Sequence, residues 1–226
     1  MNRCALMFWT FGAAAAVLLG PALPGCTSTA IAVKEKLGIP KREQLVARVK
    51  DARDGQQEAK QQFTSALDQF MSVTGAGKDA TVAELESRYD QLKKEYDRSE
   101  SRASDVRSQI DKVKAVAEAL FKEWKGELSQ YTSPDLRRRS EQELNDTRAQ
   151  YDKLIASMEA AAGKMDPVLA AFKDQVLFLK HNLNARAISS LQGNAAQMQS
   201  DINALIKDME ASIKEANSFI DQMSKG

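Results

Sequence analysis

The sequence has few of the residues on which most metal and enzyme sites are built. It contains one histidine, His181, and two cysteines, Cys4 and Cys26, among 226 residues. Structural zinc sites and most transition-metal sites combine several Cys or His ligands, so we expect neither a metal nor another cofactor. No nucleophile can be paired with His181 from the sequence. We therefore expect a protein that is not an enzyme.

A complete phosphate-binding loop is also absent from the glycine-containing segment MSVTGAGKDAT. The pattern G-x-x-x-x-G-K-[ST] requires a glycine at position 72 and a hydroxyl residue at position 79, where this chain has Ser72 and Asp79. A loop between two helices accounts for Gly75 and Gly77. Nucleotide binding is therefore not expected.

The chain has almost no net charge, with 32 Lys and Arg residues against 31 Asp and Glu. Arg3 is the only charged residue before Lys34, and without it the two signs balance at 31 each. The opposite charges are interleaved along the whole length, whereas a nucleic-acid binder usually carries a clustered basic excess. No nucleic-acid partner is expected.

Helix-breaking residues are scarce after the first 25 residues. Only Pro40, Pro134 and Pro167 follow, glycine is sparse, and no segment alternates as a strand would. Ala, Gln, Glu, Lys and Leu are abundant instead, which favours long helices.

Residues 1–25 have the layout of a secretory signal peptide. Arg3 precedes an apolar run from Ala5 to Leu19, which is followed by small residues and prolines. The run is shorter than the ~20 apolar residues that span a bilayer. We therefore predict a cleaved leader.

The leader ends in Leu23-Pro24-Gly25-Cys26, which resembles the bacterial lipobox, although Pro24 departs from the usual Ala, Ser or Thr. In a lipobox the cysteine is lipidated and becomes the mature N-terminus. We predict that Cys26 is lipidated and that residues 26–39 form a tether, because each buried methylene contributes ~0.8 kcal/mol and several acyl chains together hold a protein on a membrane. Ordinary cleavage nearby, leaving a soluble periplasmic protein, is the alternative.

This processing also predicts the location of the protein. We expect an exported, periplasm-facing chain attached to a membrane through the lipid on Cys26. Thr27 follows that cysteine, and by analogy with enteric lipoproteins the absence of Asp there favours the outer membrane over the inner. A Cys4–Cys26 disulfide is not expected, because Cys4 would be removed with the leader.

Three segments carry mainly apolar residues in alternating steps of three and four, which is the heptad pattern of helices that supercoil around each other. The first seam is Leu45, Val49, Ala52, Gln56, Ala59, Phe63, Ala66, Phe70 and Val73. The second is Leu85, Tyr89, Leu92, Tyr96, Ser99, Ala103, Val106, Ile110, Val113, Ala117, Leu120, Trp124, Glu127 and Tyr131. The third is Leu144, Thr147, Tyr151, Leu154, Met158, Ala161, Met165, Val168 and Phe172.

Capping signals divide the chain into helices. Thr81 and Glu84 form a capping box, Ser133 is an N-cap before Pro134, and Gly193 precedes a weaker box of Asn194 with Gln197. Whether the last two helices separate at Gly193 or run on is left open. The predicted helices are 40–73, 81–131, 134–192 and 194–223.

These lengths predict an all-α fold, an elongated antiparallel bundle. Short connections make successive helices antiparallel, so the two long middle helices form a coiled-coil hairpin. We expect the outer helices to fold back against 81–110 and 163–191, leaving 111–162 as a two-helix stalk. The seams could close within one chain or between two, so a homo-oligomer is an open alternative.

Two polar clusters are candidate sites. Arg137, Arg138 and Arg139 lie at the predicted hairpin tip, where they would either pair with local carboxylates or contact anionic lipid or an acidic partner. The second cluster interrupts an apolar stretch, and we interpret it as a hydrogen-bond network that fixes helix register, with His181 as a general base as the alternative. Its members are Lys180, His181, Asn182 and Asn184.

The stretch from FKEWKGELSQYTSPDLRRRS to VLFLKHNLNARAISSLQG resembles an uncharacterised bacterial lipoprotein family, the domain of unknown function 2959. The most specific pieces are Leu136 to Ser140, Met165 to Leu169, and Val176 through Ile188. The resemblance implies an exported, helical, lipid-anchored protein. It carries over no catalytic residue, because the family has none assigned.

Three functions therefore remain as hypotheses. The first is a lipid-anchored coiled-coil scaffold or interaction module of the cell envelope, acting on an envelope protein that the sequence does not identify. The second is an intracellular coiled coil of the chromosome-maintenance kind, and the third is an envelope enzyme centred on His181.

Overall fold

The structure of the chain, a computed structural model, describes residues 25–75 and 81–225. Five α-helices and one short 3-10 helix occur in these ranges, and no strand does. The all-α fold is thus confirmed, while the predicted leader lies outside the described residues except for Gly25. The helices are α1 (Gly25–Lys36), α2 (Lys41–Thr74), α3 (Val82–Glu127), α4 (Pro134–His181) and α5 (Ala185–Lys225), with the 3-10 helix at Leu128–Gln130.

Helices α2 to α5 form an antiparallel four-helix bundle. Each helix packs against two neighbours in the cyclic order α2, α3, α4, α5, and the diagonal pairs have no close backbone contact. Ion pairs cross between neighbours, for example Lys114 to Glu159 from α3 to α4 at 2.7 Å. The apolar seams therefore close within one chain.

The predicted seams form the core of this bundle. Every seam residue of α2 from Leu45 to Val73 is buried, and so are those of α4, except that Tyr151 is half-buried. In α3 the seam is buried from Leu85 to Leu120, with only Tyr89 half-buried. It ends where the helix ends, so Glu127 and Tyr131 are exposed.

Two of the predicted N-caps are present in the structure. The hydroxyl of Thr81 accepts a hydrogen bond from the Glu84 amide at 3.3 Å, and the Glu84 carboxylate accepts one from the Thr81 amide at 2.8 Å. Ser133 accepts a hydrogen bond from the Leu136 amide at 3.4 Å. These reciprocal bonds satisfy amides that a helix start leaves unpaired, which is why α3 and α4 begin where the sequence indicates.

The two-helix portion is much shorter than the predicted 111–162. Lys41 of α2 pairs with Glu123 near the end of α3 at 2.9 Å, and Lys153 of α4 pairs with Glu215 of α5 at 3.0 Å. All four helices therefore cover most of the hairpin. Beyond them, the 3-10 helix contacts only α3 and α4.

On the α4 side, the separation of the last two helices is the reason for this difference. α4 ends at His181, and α5 begins at Ala185 rather than at residue 194, so α5 has 41 residues and reaches further along α4. Gly193 lies inside α5. The buried positions Ile188, Leu191, Ala195, Met198 and Ile202 keep the heptad steps through it, so packing outweighs the low helix propensity of one glycine.

This interpretation predicts that Gly193→Ala stabilises the protein by about 1 kcal/mol, because alanine favours a helix interior by that amount over glycine. A β-carbon at position 193 would meet nothing within 4 Å. Urea unfolding followed by circular dichroism measures the effect. Gly38→Ala is the control and should destabilise, because Gly38 has φ 81°. A loss of stability in Gly193→Ala would place a helix break at that residue.

The segment predicted as a tether, 26–39, contains a helix. α1 ends in a Schellman motif, in which the amide of Ile39 bonds to the Lys34 carbonyl at 3.0 Å and that of Gly38 to the Glu35 carbonyl at 2.9 Å. Ile31 is buried, and α1 packs on α2 and α3. The chain is therefore ordered against the bundle within a few residues of Cys26.

Candidate functional site

The tip of the hairpin consists of the end of α3, the 3-10 helix and the start of α4. Leu128 is buried at its base. The indole Nε1 of Trp124 donates a hydrogen bond to Ser140 Oγ at 2.8 Å, which ties the two arms together. Since Trp124 is half-buried and its one donor is satisfied, its position is explained by packing. The tip is thus held in a defined shape by contacts below it.

The three tip arginines are exposed and have different partners. Arg138 pairs with Asp135 at 2.6 Å, an exposed contact that contributes little to stability. Arg137 and Arg139 form no ion pair with any described residue. The tip therefore presents two guanidinium groups without a neutralising carboxylate.

Two apolar side chains lie beside these arginines. Leu136 is 55% exposed and Tyr131 is 42% exposed. The heptad pattern predicts Tyr131 as an α3 seam residue, and the sequence predicts no site role for Leu136. The exposure of Leu136 could have been predicted from its position. It lies in the first turn of α4, before the seam of that helix begins at Leu144.

The cluster interpreted as a register network lies instead at the connection between α4 and α5. Asn182 Nδ2 donates to the Phe178 carbonyl at 2.9 Å, and Asn184 Oδ1 accepts from the Ala187 amide at 3.0 Å. These bonds end one helix and begin the next, and they do not join two packed helices. Lys180 and His181 are exposed.

His181 is not grouped with other residues that could form a metal site. No cluster of three or more His, Cys, Asp or Glu residues with suitable geometry occurs within 25–75 and 81–225. The hydrogen bonds described for the chain also give His181 no hydroxyl or carboxylate partner. The geometry at His181 therefore shows no arranged acid, base or nucleophile.

A buried polar pair does join two packed helices, but at a different place. Ser212 Oγ of α5 donates to Gln56 Oε1 of α2 at 2.9 Å, and both residues are fully buried. Next to them Gly55 lets the Gln109 side chain lie across α2, since a β-carbon there would be 1.8 Å from Gln109 Oε1. Gln56 was visible in the sequence as a polar seam residue, whereas its partner was not. A single buried polar position of this kind can fix helix register.

The N-terminal helix lies at the same end of the bundle as the tip. Lys41 Nζ bridges Glu35 at the end of α1 (2.5 Å) and Glu123 of α3 (2.9 Å). Desolvation lowers the pKa of Lys41, but its hydrogen bonds to Glu35 and Glu123 outweigh this and raise its pKa overall. Glu123 is adjacent to Trp124, whose indole contacts Ser140 of the tip.

These features define an elongated all-helical bundle whose distinctive exposed groups are concentrated at its ends. No helix in the described part of the chain is both long and apolar enough to span a membrane. The family model described as "Protein of unknown function (DUF2959)" matches residues 31–223, and the chain belongs to this family. Neither a curated protein nor a solved structure matches the chain.

Proposed function

We propose that the protein is a non-enzymatic scaffold or interaction module of the bacterial cell envelope, anchored to a membrane by lipid on Cys26. The observation that carries this proposal is the sequence Leu23-Pro24-Gly25-Cys26 after the apolar run that ends at Leu19. The folded domain follows that cysteine almost immediately and consists of closed helical seams.

The fold supports a role through surfaces. The interior of the bundle is filled by the side chains of four seams, and its fully buried large residues include Phe63, Phe70, Phe172 and Phe219. Small-molecule sites need a concave, partly apolar cavity with converging polar groups. Binding by this protein would therefore use exposed helical faces, the open grooves between them and the two ends.

The residue after Cys26 supports one of the two membranes as the place of attachment. Thr27 rather than Asp follows Cys26, which supports the outer membrane, with the bundle facing the periplasm. The partner in this proposal is an envelope protein reached from that membrane.

Export is tested by fusing a reporter that is active only in the periplasm after residue 226. The intact chain should give an active reporter, and a chain without residues 2–25 should give an inactive one. The lipoprotein-processing inhibitor globomycin should cause the unprocessed chain to accumulate. An inactive reporter on the intact chain would rule out export and favour an intracellular coiled coil.

A further inference from the structure

The two exposed ends of the bundle differ in their distance from the proposed anchor. Ile31 packs into the core five residues after Cys26, which is about 7 Å along a helix. All of α1 spans only about 18 Å, whereas α4 with 48 residues spans about 72 Å. Because α1 packs beside Lys41 and Glu123, the lipid of Cys26 would hold the tip end near the membrane and leave the α4–α5 connection remote.

Both ends combine exposed apolar groups with unpaired cations, since the remote end exposes Leu177 and Phe178 near Lys180 and Arg186, and only one end lies near the anchor. At the tip these are Tyr131, Leu136, Arg137 and Arg139, which we name the tip surface. The end of α1 adds a similar set, since Leu37 is 74% exposed beside the exposed Lys36.

We propose that the tip surface binds the anionic headgroups of the membrane to which Cys26 is attached. This inference rests on the proposed lipid anchor, because the anchor supplies the proximity. Guanidinium groups form strong bidentate contacts with phosphate. Tyrosine and leucine beside them suit the boundary between headgroups and acyl chains.

The same observations favour a lipid surface over an acidic protein. A protein site would be expected to enclose such arginines in a closely packed pocket, whereas Leu136 and Leu37 are exposed at this end. Anchoring at Cys26 would place this end next to headgroups whether or not a partner is present. The bundle axis would then point away from the membrane, with the α4–α5 connection at the distal end.

The test uses residues 26–226 with Cys26→Ser, which retain every buried residue from Ile31 to Met223. Binding is measured by sedimentation with vesicles of phosphatidylcholine alone or with phosphatidylglycerol added. Each Arg near an anionic surface strengthens binding roughly fivefold, so Arg137→Gln/Arg139→Gln should weaken binding to the anionic vesicles about 25-fold. Neutral vesicles should bind poorly in every case.

The matched control is Lys180→Gln/Arg186→Gln at the opposite end. Both residues are exposed and form no ion pair with described residues, and Leu177 and Phe178 are exposed at the same end. When Cys26 is coupled to a vesicle lipid, that end is remote from the membrane, so the control should keep the tip contact of the parent chain. Equal weakening of that contact in the two double variants would show non-specific attraction and overturn the proposal. Strong binding to neutral vesicles would do the same.

A second measurement is used if vesicle binding is too weak to be detected by sedimentation. The chain of residues 26–226 has one tryptophan, Trp124, and one cysteine, Cys26, so it can be coupled through Cys26 to a maleimide lipid. Brominated anionic vesicles should quench Trp124, and Arg137→Gln/Arg139→Gln should reduce the quenching. Quenching that is absent or unchanged in the variant overturns the tip contact. Neither assay depends on acylation in cells, so a failure here is distinguishable from a failure of the anchor.

Discussion

Phe172→Ala is expected to lower the free energy of unfolding by about 4 kcal/mol, within the range for removing a fully buried phenylalanine. Phe172 is 0% exposed. Its ring meets Phe70 of α2 edge-on, with ring centroids 6.1 Å apart, and Tyr96 of α3 at 5.9 Å. The substitution thus leaves a cavity where three helices meet, which urea unfolding monitored by circular dichroism would measure.

Phe178→Ala is the matched control for this change. Phe178 is on the same helix but is 40% exposed, so the same truncation should cost about 1 kcal/mol or less. Similar losses for the two variants would show that Phe172 does not occupy the centre of a bundle. The packing of Phe172 in the interior of the bundle, against side chains of α2 and α3, would then be wrong.

Cys26→Ser is expected to reduce incorporation of labelled palmitate into the protein to background. Only a thiol at position 26 can accept the diacylglycerol group in the proposed processing, and several acyl chains contribute ~0.8 kcal/mol per buried methylene to membrane attachment. The measurement is metabolic labelling followed by immunoprecipitation of the chain and its variants.

Cys4→Ser provides the control, because Cys4 belongs to the predicted leader and should be absent from the mature chain. That variant should incorporate palmitate like the parent. Persistent labelling of Cys26→Ser, or a loss of labelling in Cys4→Ser, would contradict acylation at Cys26.

The seams were predictable because periodicity is a property of the sequence itself. Apolar residues at steps of three and four must share one helix face, so Leu45 to Val73 could be assigned to the core before any contact was known. The capping box of Thr81 and Glu84 is equally local. Such features need no knowledge of which helix packs against which.

The connection between α4 and α5 was harder to predict because two signals competed. Gly193 followed by Asn194 has the composition of a helix boundary, yet the seam continues through it from Ile188 to Met223. Extending this heptad pattern toward the N-terminus would have placed the start of the last helix next to Asn184. The stalk prediction failed on the α4 side as a consequence, since the reach of α5 depends on where it starts.

The tip surface could be predicted only in part. Three consecutive arginines were visible, but that Arg138 has a partner while Arg137 and Arg139 have none depends on side-chain geometry. The placement of α1 beside the tip also follows from tertiary contacts of Lys41. Nothing in the local sequence of α1 specifies that contact.

Mass spectrometry of the N-terminal peptide from the protein purified from its own membranes tests the central proposal most directly. The account predicts that trypsin releases a peptide from Cys26 to Lys34 that carries a diacylglycerol thioether on the cysteine. A peptide that retains residues of the leader, or a mature chain in which Cys26 has a free thiol, would contradict it.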